Sequence, residues 1–255
     1  MDALAPPRRA TSTGLILALL RKDLRLVWRD GFLLLLATYP LVLAVAFRLA
    51  VPFVPIEHLY LYMAPVVICF AGNLLGTVLG YSLIEERETR TWLLLRVLPL
   101  PDRTLFGYLF GAGVALSFPL ALLSALLYGI VPVQPVFFVL MCASSATIAP
   151  LMMLLLGSLA SNKIEGLAIA KALGMAAMLP ALAFWLGPGW QLTIAWNPFY
   201  WLYLGLLHAY VGPEQVLDLA ILWPAYSPWL LALAPTGLCI AGSWALARVY
   251  RRRAA

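Results

Sequence analysis

The chain alternates between long apolar runs and short charged or turn-rich intervals. Predominantly apolar stretches cover 31–54, 60–84, 105–129, 135–160, 167–187 and 227–249. Each is longer than the roughly 18 residues that mark a bilayer-spanning helix, so six spans are predicted. The interval 188–226 does not fit this rhythm: it is apolar and rich in Trp and Tyr, yet broken by Pro198, Gly212, Pro213 and Pro224. One more span there would move Arg251, Arg252 and Arg253 to the other side of the membrane. Two more would leave one of about ten residues, too short for a ~30 Å core. The pattern predicts instead a re-entrant outer segment, with helices over 197–210 and 213–222 buried against protein so that their backbone groups stay satisfied.

Two polar intervals carry patterns of their own. Over 11–30, Leu17, Leu20, Leu24, Val27 and Trp28 recur at helical spacing, with Arg21, Lys22, Arg25 and Arg29 on an adjoining face. That predicts a helix lying in the membrane interface, with Ser12 as its N-cap and Asp30-Gly31 as the break before the first span. A plain basic flank that fixes topology is the alternative. Over 85–103, Glu85, Glu86 and Glu88 open a predicted cytoplasmic helix, arginines follow, and Pro99 and Pro101 end it. Trp92, Leu95 and Leu98 give this helix an apolar edge that a cytosolic partner could grip; a charged loop helix without a partner is the other reading.

Composition fixes the class. Hydrophobic residues make up 64% of the chain and charged ones 11%, and mean hydropathy is +0.93. These values exclude a soluble enzyme, a disordered chain and a nucleic-acid binder. The net charge of +6 belongs to loops beside anionic lipid. All of the 17 basic residues except Arg48 fall on one side of the predicted topology, so both termini are expected in the cytoplasm. The leader before the first run is polar and continues into a full span, so no cleavable signal peptide is expected. Cys69, Cys142 and Cys239 each lie inside an apolar run and read as small hydrophobes, with neither disulfide nor zinc spacing.

The segment after the second span resembles the permease subunits of type-2 ABC exporters, in which it reads roughly E-R-E-x-G-T-L-E-x-L-L followed by proline. Glu86, Arg87, Glu88, Thr91, Leu94, Leu95 and Pro99 match; Arg90 stands where glycine is usual, and Trp92 and Leu93 replace the next two positions. The interfacial helix resembles that family's elbow helix. Trp196, Asn197, Pro198, Phe199 and Tyr200 resemble its asparagine-proline-aromatic element before the last span. The resemblance implies one permease domain over 1–255 and a coupling helix at about 86–98 that receives the motion of a cytosolic ABC ATPase subunit through Glu86, Arg87, Glu88, Thr91, Trp92, Leu95 and Pro99. It implies a second permease copy or paralogue, and an outer gate at Trp196, Asn197, Pro198 and Tyr200. The chain has no Gly-Lys dipeptide and so no phosphate loop. ATP and magnesium would be bound by the partner ATPase, and no cofactor, metal or catalytic residue is expected in this chain.

Features within the spans weigh the function further. Pro40, Pro65, Pro119, Pro150, Pro180 and Pro235 place a potential kink in every span. Gly72, Gly76 and Gly80 form one small-residue ladder, and Gly107 and Gly111 another, for close helix packing inside the subunit or between subunits. Asn73 is expected to hydrogen-bond a neighbouring helix, with a place on a substrate path as the alternative. Arg48 is expected to snorkel to the outer surface, beside Glu57. No carboxylate lies near the midplane, which disfavours ion coupling and favours an external energy source. An apolar lining suits a hydrophobic or amphiphilic cargo, drug-like or lipid-like. The expected protein is thus an all-α, multi-pass exporter permease of the bacterial inner membrane. Two rivals stand beside it. Glu85 to Arg90 fits the E-E-x-x-x-R pattern of CAAX-processing membrane proteases, although His58 and His208 lie toward the opposite face. A non-transporting anchor or assembly factor shares the whole topology.

Overall fold

The computed structural model describes residues 28–50, 59–89, 102–186, 188–218 and 228–254, together with Gly14, Leu20, Arg21, Lys22, Arg25 and Phe53. The helices are α1 (Gly31–Ala50), α2 (Leu59–Glu88), α3 (Asp102–Tyr128), α4 (Pro135–Ala146), α5 (Ile148–Leu159), α6 (Lys163–Leu186), α7 (Pro188–Ile194), α8 (Pro198–Asp218) and α9 (Pro228–Ala254). No strand occurs among the described residues. Six helical stretches are long and apolar enough to cross a membrane: α1, α2, most of α3, α4 with α5, most of α6, and most of α9. The protein is an all-α polytopic membrane protein. One end of the bundle carries Glu85–Glu88, Lys163 and Arg248, and is called the charged end. The opposite, aromatic end carries Tyr60, Tyr128 and the α6–α7 turn.

Helix α2 is the axis of the molecule. It touches α1, α3, α4, α5, α6 and α8, and nearly every residue from Ala64 to Ile84 is buried. Its glycine ladder makes this possible. A methyl group at Gly72 would stand 2.8 Å from the Ser145 carbonyl oxygen, one at Gly80 2.9 Å from the Leu156 side chain, and one at Gly76 closer still to the Ala149 carbonyl. The backbones of α2 and α4–α5 therefore pack at a distance that only glycine permits. Gly107 and Gly111 of α3, by contrast, meet nothing within 4 Å among the described residues of this chain.

The fourth span is broken at Thr147. Pro150 has no N–H to offer the Ala146 carbonyl and crowds it sterically. The Thr147 N–H turns instead to the Ser144 oxygen at 3.1 Å. Thr147 Oγ1 donates to that same oxygen (2.6 Å) and Ser145 Oγ donates to the Cys142 carbonyl (2.8 Å). At Pro40, Pro65, Pro119, Pro180 and Pro235 the helix runs on through the ring. Of the six prolines at the expected kinks, only Pro150 stands beside an interruption of its helix.

The interval after α6 is a hairpin sunk into the bundle from the aromatic end. Helix α7 turns back from the end of α6, and Asn197 Nδ2 then donates to the Ala176 carbonyl (2.8 Å). Ala176 lies ten residues before Leu186, about 15 Å down the helix. Helix α8 climbs back, and its Ala209 and Tyr210 carbonyls accept the Gln134 and Val133 N–H groups at 3.0 and 3.3 Å. From Phe199 to Tyr210 α8 is buried apart from Trp201, which is partly so. The expected helix over 197–210 is the first part of α8, and the break expected before 213 falls at Gly212 (φ 78°); α7 (Pro188–Ile194) is a helix that the sequence did not predict. The expected second helix over 213–222 is helical through Asp218, where the described residues stop; 219–227 lie outside them.

Other expectations resolve locally. Arg48 donates to the Leu127 carbonyl (3.4 Å) at the end of α3, where a cation suits the helix dipole. Its expected neighbour Glu57 is outside the described residues. Asn73 is 2% exposed, and its Nδ2 finds no acceptor among the described residues; the predicted interhelical bond from that donor is not made. The three cysteines are buried free thiols.

Candidate functional site

The last turn of α2 carries the site. The sequence pattern ended the second span at 84 and opened a separate cytoplasmic helix with Glu85, but the structure continues α2 unbroken to Glu88. At 30 residues, α2 is about 45 Å long, well over the ~30 Å apolar core, so its charged end projects beyond the bilayer. Glu86, Arg87 and Glu88 therefore belong to the rod of the span. Thr91, Trp92, Leu95 and Pro99, and the segment 90–101 that holds them, lie outside the described residues.

Arg87 is the centre of the cluster. Its guanidinium donates to the Ala160 carbonyl (3.2 Å) and to the Gly157 carbonyl, and its carbon stands 5.3 Å from the ring centre of Tyr250 on α9. The last carbonyls of α5 have no partner within their own helix, and a forked cation satisfies two of them while complementing the dipole. Tyr250 is buried and closes the other side. One side chain of α2 thus fixes the ends of α5 and α9.

The flanking glutamates reach other elements. Glu86 pairs with Lys22 of the helical N-terminal segment. Glu85 pairs with the Lys163 ammonium at 3.1 Å, and Glu88 accepts the Lys163 backbone N–H at 3.3 Å. Lys163 is presented there by the capped start of α6. Asn162 Oδ1 accepts the Glu165 N–H (2.9 Å), capping α6, and the Glu165 carboxylate accepts the Ser161 N–H (2.7 Å) just before it. Asp30 caps α1 in the same manner, accepting the N–H groups of Phe32 (2.9 Å) and Leu33 (3.3 Å). The expected break at Asp30-Gly31 is therefore a capped helix start. Ser12 lies outside the described residues, whereas Leu20, Arg21, Lys22, Arg25, Trp28 and Arg29 are helical.

At the aromatic end the four predicted gate residues divide. Asn197 Oδ1 caps α8 by accepting the Phe199 N–H (3.0 Å), and Pro198 occupies the first helical position, where a missing N–H costs nothing. Tyr200 is fully buried, stacked on Phe184 of α6 with ring centres 5.2 Å apart, and its hydroxyl lies 3.5 Å from Gln191 Oε1 of α7. Trp196 is 79% exposed and stands apart from them. Asn197, Pro198 and Tyr200 thus lock the hairpin to α6. Nearby, the Tyr60 and Tyr128 rings stack at 4.4 Å. Tyr128 Oη donates to the Tyr60 carbonyl at 2.6 Å, and Tyr60 Oη donates to the Tyr128 carbonyl.

Lys22, Lys163, Tyr250, Phe184 and Gln191 were not singled out from the sequence. Lys22 was read as part of the basic face of the interfacial helix and Lys163 as a topology marker, neither as a partner of a glutamate, and nothing in local spacing joins positions 87 and 250. The protease geometry does not assemble: Glu85 and Glu86 are engaged by lysines at the charged end, while His208 lies one residue from the Gln134-bonded Ala209 at the other. Among the described residues no cluster of His, Cys, Asp and Glu suits a metal ion.

Comparison with known proteins adds the family. A family model described as fluoroquinolones export permease protein Rv2686c-like matches residues 23–234. The chain belongs to this family. Two relatives from Mycobacterium tuberculosis agree: the fluoroquinolones export permease protein MT2760 of strain CDC 1551 / Oshkosh and its counterpart Rv2686c of strain ATCC 25618 / H37Rv. Each is 24% identical over 246 residues, covering 88% of this chain and 94% of the relative. Membership in the Rv2686c-like export permeases makes this chain a multi-pass transport component of an export system. The matched region holds α1 through α8 and the first turns of α9, and so contains Arg87 and the hairpin but not Tyr250.

Proposed function

We propose that the chain is the membrane-spanning subunit of an ATP-driven exporter. It pairs with a second copy or a related chain above two cytosolic ABC ATPase subunits, which bind the ATP and magnesium. It lies in the bacterial inner membrane with both termini in the cytoplasm, so that the charged end faces the ATPase. The observation that carries this reading is the Arg87 cluster. The segment resembling a coupling helix follows the last turn of α2 directly, and that turn is joined to the N-terminal helix, α5, α6 and α9. A push delivered on 90–100 when the ATPase subunits close reaches all of them together. Helix α2 transmits the displacement as one rod, and the α7–α8 hairpin at the far end opens as the exit lid. The cargo is a hydrophobic or amphiphilic molecule. The relatives named for fluoroquinolone export make planar aromatic drugs of that kind the first to try.

The test is affinity purification from the native membrane in mild detergent, with an ATPase assay on what co-purifies. A stoichiometric nucleotide-binding subunit is expected, with hydrolysis stimulated by the cargo. Trp92→Asp with Leu95→Asp is expected to abolish its recovery while insertion remains normal. Unchanged recovery from that variant would overturn the docking segment, and a wild-type chain that emerges alone and without hydrolysis would overturn the exporter reading.

A further inference from the structure

A cavity of about 250 Å³ opens at the charged end between the start of α1, the last turns of α2 and the first turn of α6. Asp30, Glu85 and Lys163 form its rim, and Phe32, Tyr81 and Leu167 line it on the bilayer side. All three helices pass from a charged residue to an apolar one within about a turn. That is the order a phospholipid presents, headgroup first and acyl chain beyond. Phe32 is 52% exposed and Ile164, beside Lys163, is 84% exposed, so the cavity is open on the side that lipid would occupy.

Its charge is opposite to its surroundings. Arg21, Lys22, Arg25 and Arg29 make the neighbouring helix basic, and a basic surface at the headgroup level gathers anionic lipid. Among the described residues that line the cavity, two carboxylates face one ammonium. Glu85 holds Lys163 at 3.1 Å, and Asp30 commits Oδ1 to the cap of α1, leaving Oδ2 for a ligand. A wholly anionic headgroup meets two repulsive carboxylates there, whereas one with both an ammonium and a phosphate finds a partner for each. Tyr81 lines the cavity one helical turn beyond Glu85, its ring edge-on to Phe32 with centres 6.3 Å apart, and these two rings give the acyl chain an aromatic wall below the charged rim.

We propose that this cavity binds an aminophospholipid of the phosphatidylethanolamine class. Its ammonium sits between Asp30 and Glu85, its phosphate lies at Lys163, and its first acyl carbons run along Phe32 and Leu167. The bound lipid ties α1 to α2 and α6 beside the Arg87 cluster and extends that cluster into the bilayer. This assignment depends on the charged end lying at one membrane surface, and not on the identity of the cargo or of the ATPase.

The test uses the full chain reconstituted in vesicles of equal phosphatidylethanolamine and phosphatidylglycerol, extracted in mild detergent, with the retained lipid measured by mass spectrometry. The wild type is expected to enrich phosphatidylethanolamine over the input by about fivefold, the preference one added headgroup charge contact confers. Asp30→Asn combined with Glu85→Gln keeps both hydrogen-bonding shapes, including the α1 cap, and is expected to return the ratio to the input or below it. A second measurement needs no variant. Phosphatidylcholine in place of phosphatidylethanolamine removes the ammonium N–H donors and is expected to abolish the enrichment. Retention at the input ratio, a preference for phosphatidylglycerol in the wild type, or equal enrichment of phosphatidylcholine would each overturn the proposal.

Discussion

The two ends of the bundle are held by different chemistry. At the charged end, α2, α5, α6, α9 and the N-terminal helix meet through a guanidinium and two Lys–Glu pairs. At the aromatic end, the hairpin and the α2–α3 contact are held mainly by caps, carbonyl bonds and stacked rings. Neutral bonds in a dry interior are costly to leave unmade, since a lost partner leaves a buried group unsatisfied. Lys–Glu pairs near water can exchange partners cheaply. The end next to the proposed ATPase segment is therefore the one whose contacts can rearrange during a cycle. The far end holds its shape until the rod moves.

The difference can be broken most severely at Asn197. Replacing it by Leu removes the cap of α8 and the bond to Ala176 and leaves two buried groups unpaired, a loss of about 2–4 kcal/mol. A large fall in thermal midpoint in detergent is expected, with the same size in low and high salt. Salt sensitivity of that loss would contradict a neutral lock. Next comes Arg87. Arg87→Gln should cost about 1.5–3 kcal/mol, and Arg87→Lys about half as much, because an ammonium does not reproduce the fork. If the exporter reading holds, the Gln variant also hydrolyses ATP without the stimulation by cargo seen in the wild type. Normal stimulation would remove Arg87 from the transmission path. The smallest effect belongs to Lys163→Gln, under about 1 kcal/mol and erased at high salt. A loss as large as that at Arg87 would place the main tie at α6 instead.

Much of this fold was legible because span length is a property of composition. Six apolar runs of sufficient length had one reading, and the observed helices follow them. What was not legible depended on three-dimensional neighbours. Glu85 to Glu88 read as the start of a new helix because charges normally end a span, and nothing local reveals a rod longer than the bilayer. The two glycine ladders share a spacing, yet only Gly72, Gly76 and Gly80 face another backbone. Among six prolines, only Pro150 interrupts its helix, beside the hydroxyls of Ser144, Ser145 and Thr147. The asparagine-proline-aromatic element marked the hairpin, and Pro180 leaves the Ala176 carbonyl four residues earlier without a helical donor, but no spacing pairs that carbonyl with Asn197. The motif at 86–88 was found by resemblance, whereas its partners Lys22, Lys163 and Tyr250 come from distant parts of the chain.

The depth of Asn197 also constrains how the protein is made. Helix α7 has seven residues, too few to partition into lipid as a span, and α8 is buried from Phe199 to Tyr210 apart from Trp201, packed against α2, α4, α6 and α9. During synthesis α2, α4 and α6 offer the hairpin most of its seat before α9 enters the membrane, and α9 then covers the side of α8 they leave open. The last span therefore acts as a closing step of biogenesis, and a chain stopped before residue 228 would carry a hairpin seated on α6 but open to protease on its α9 side.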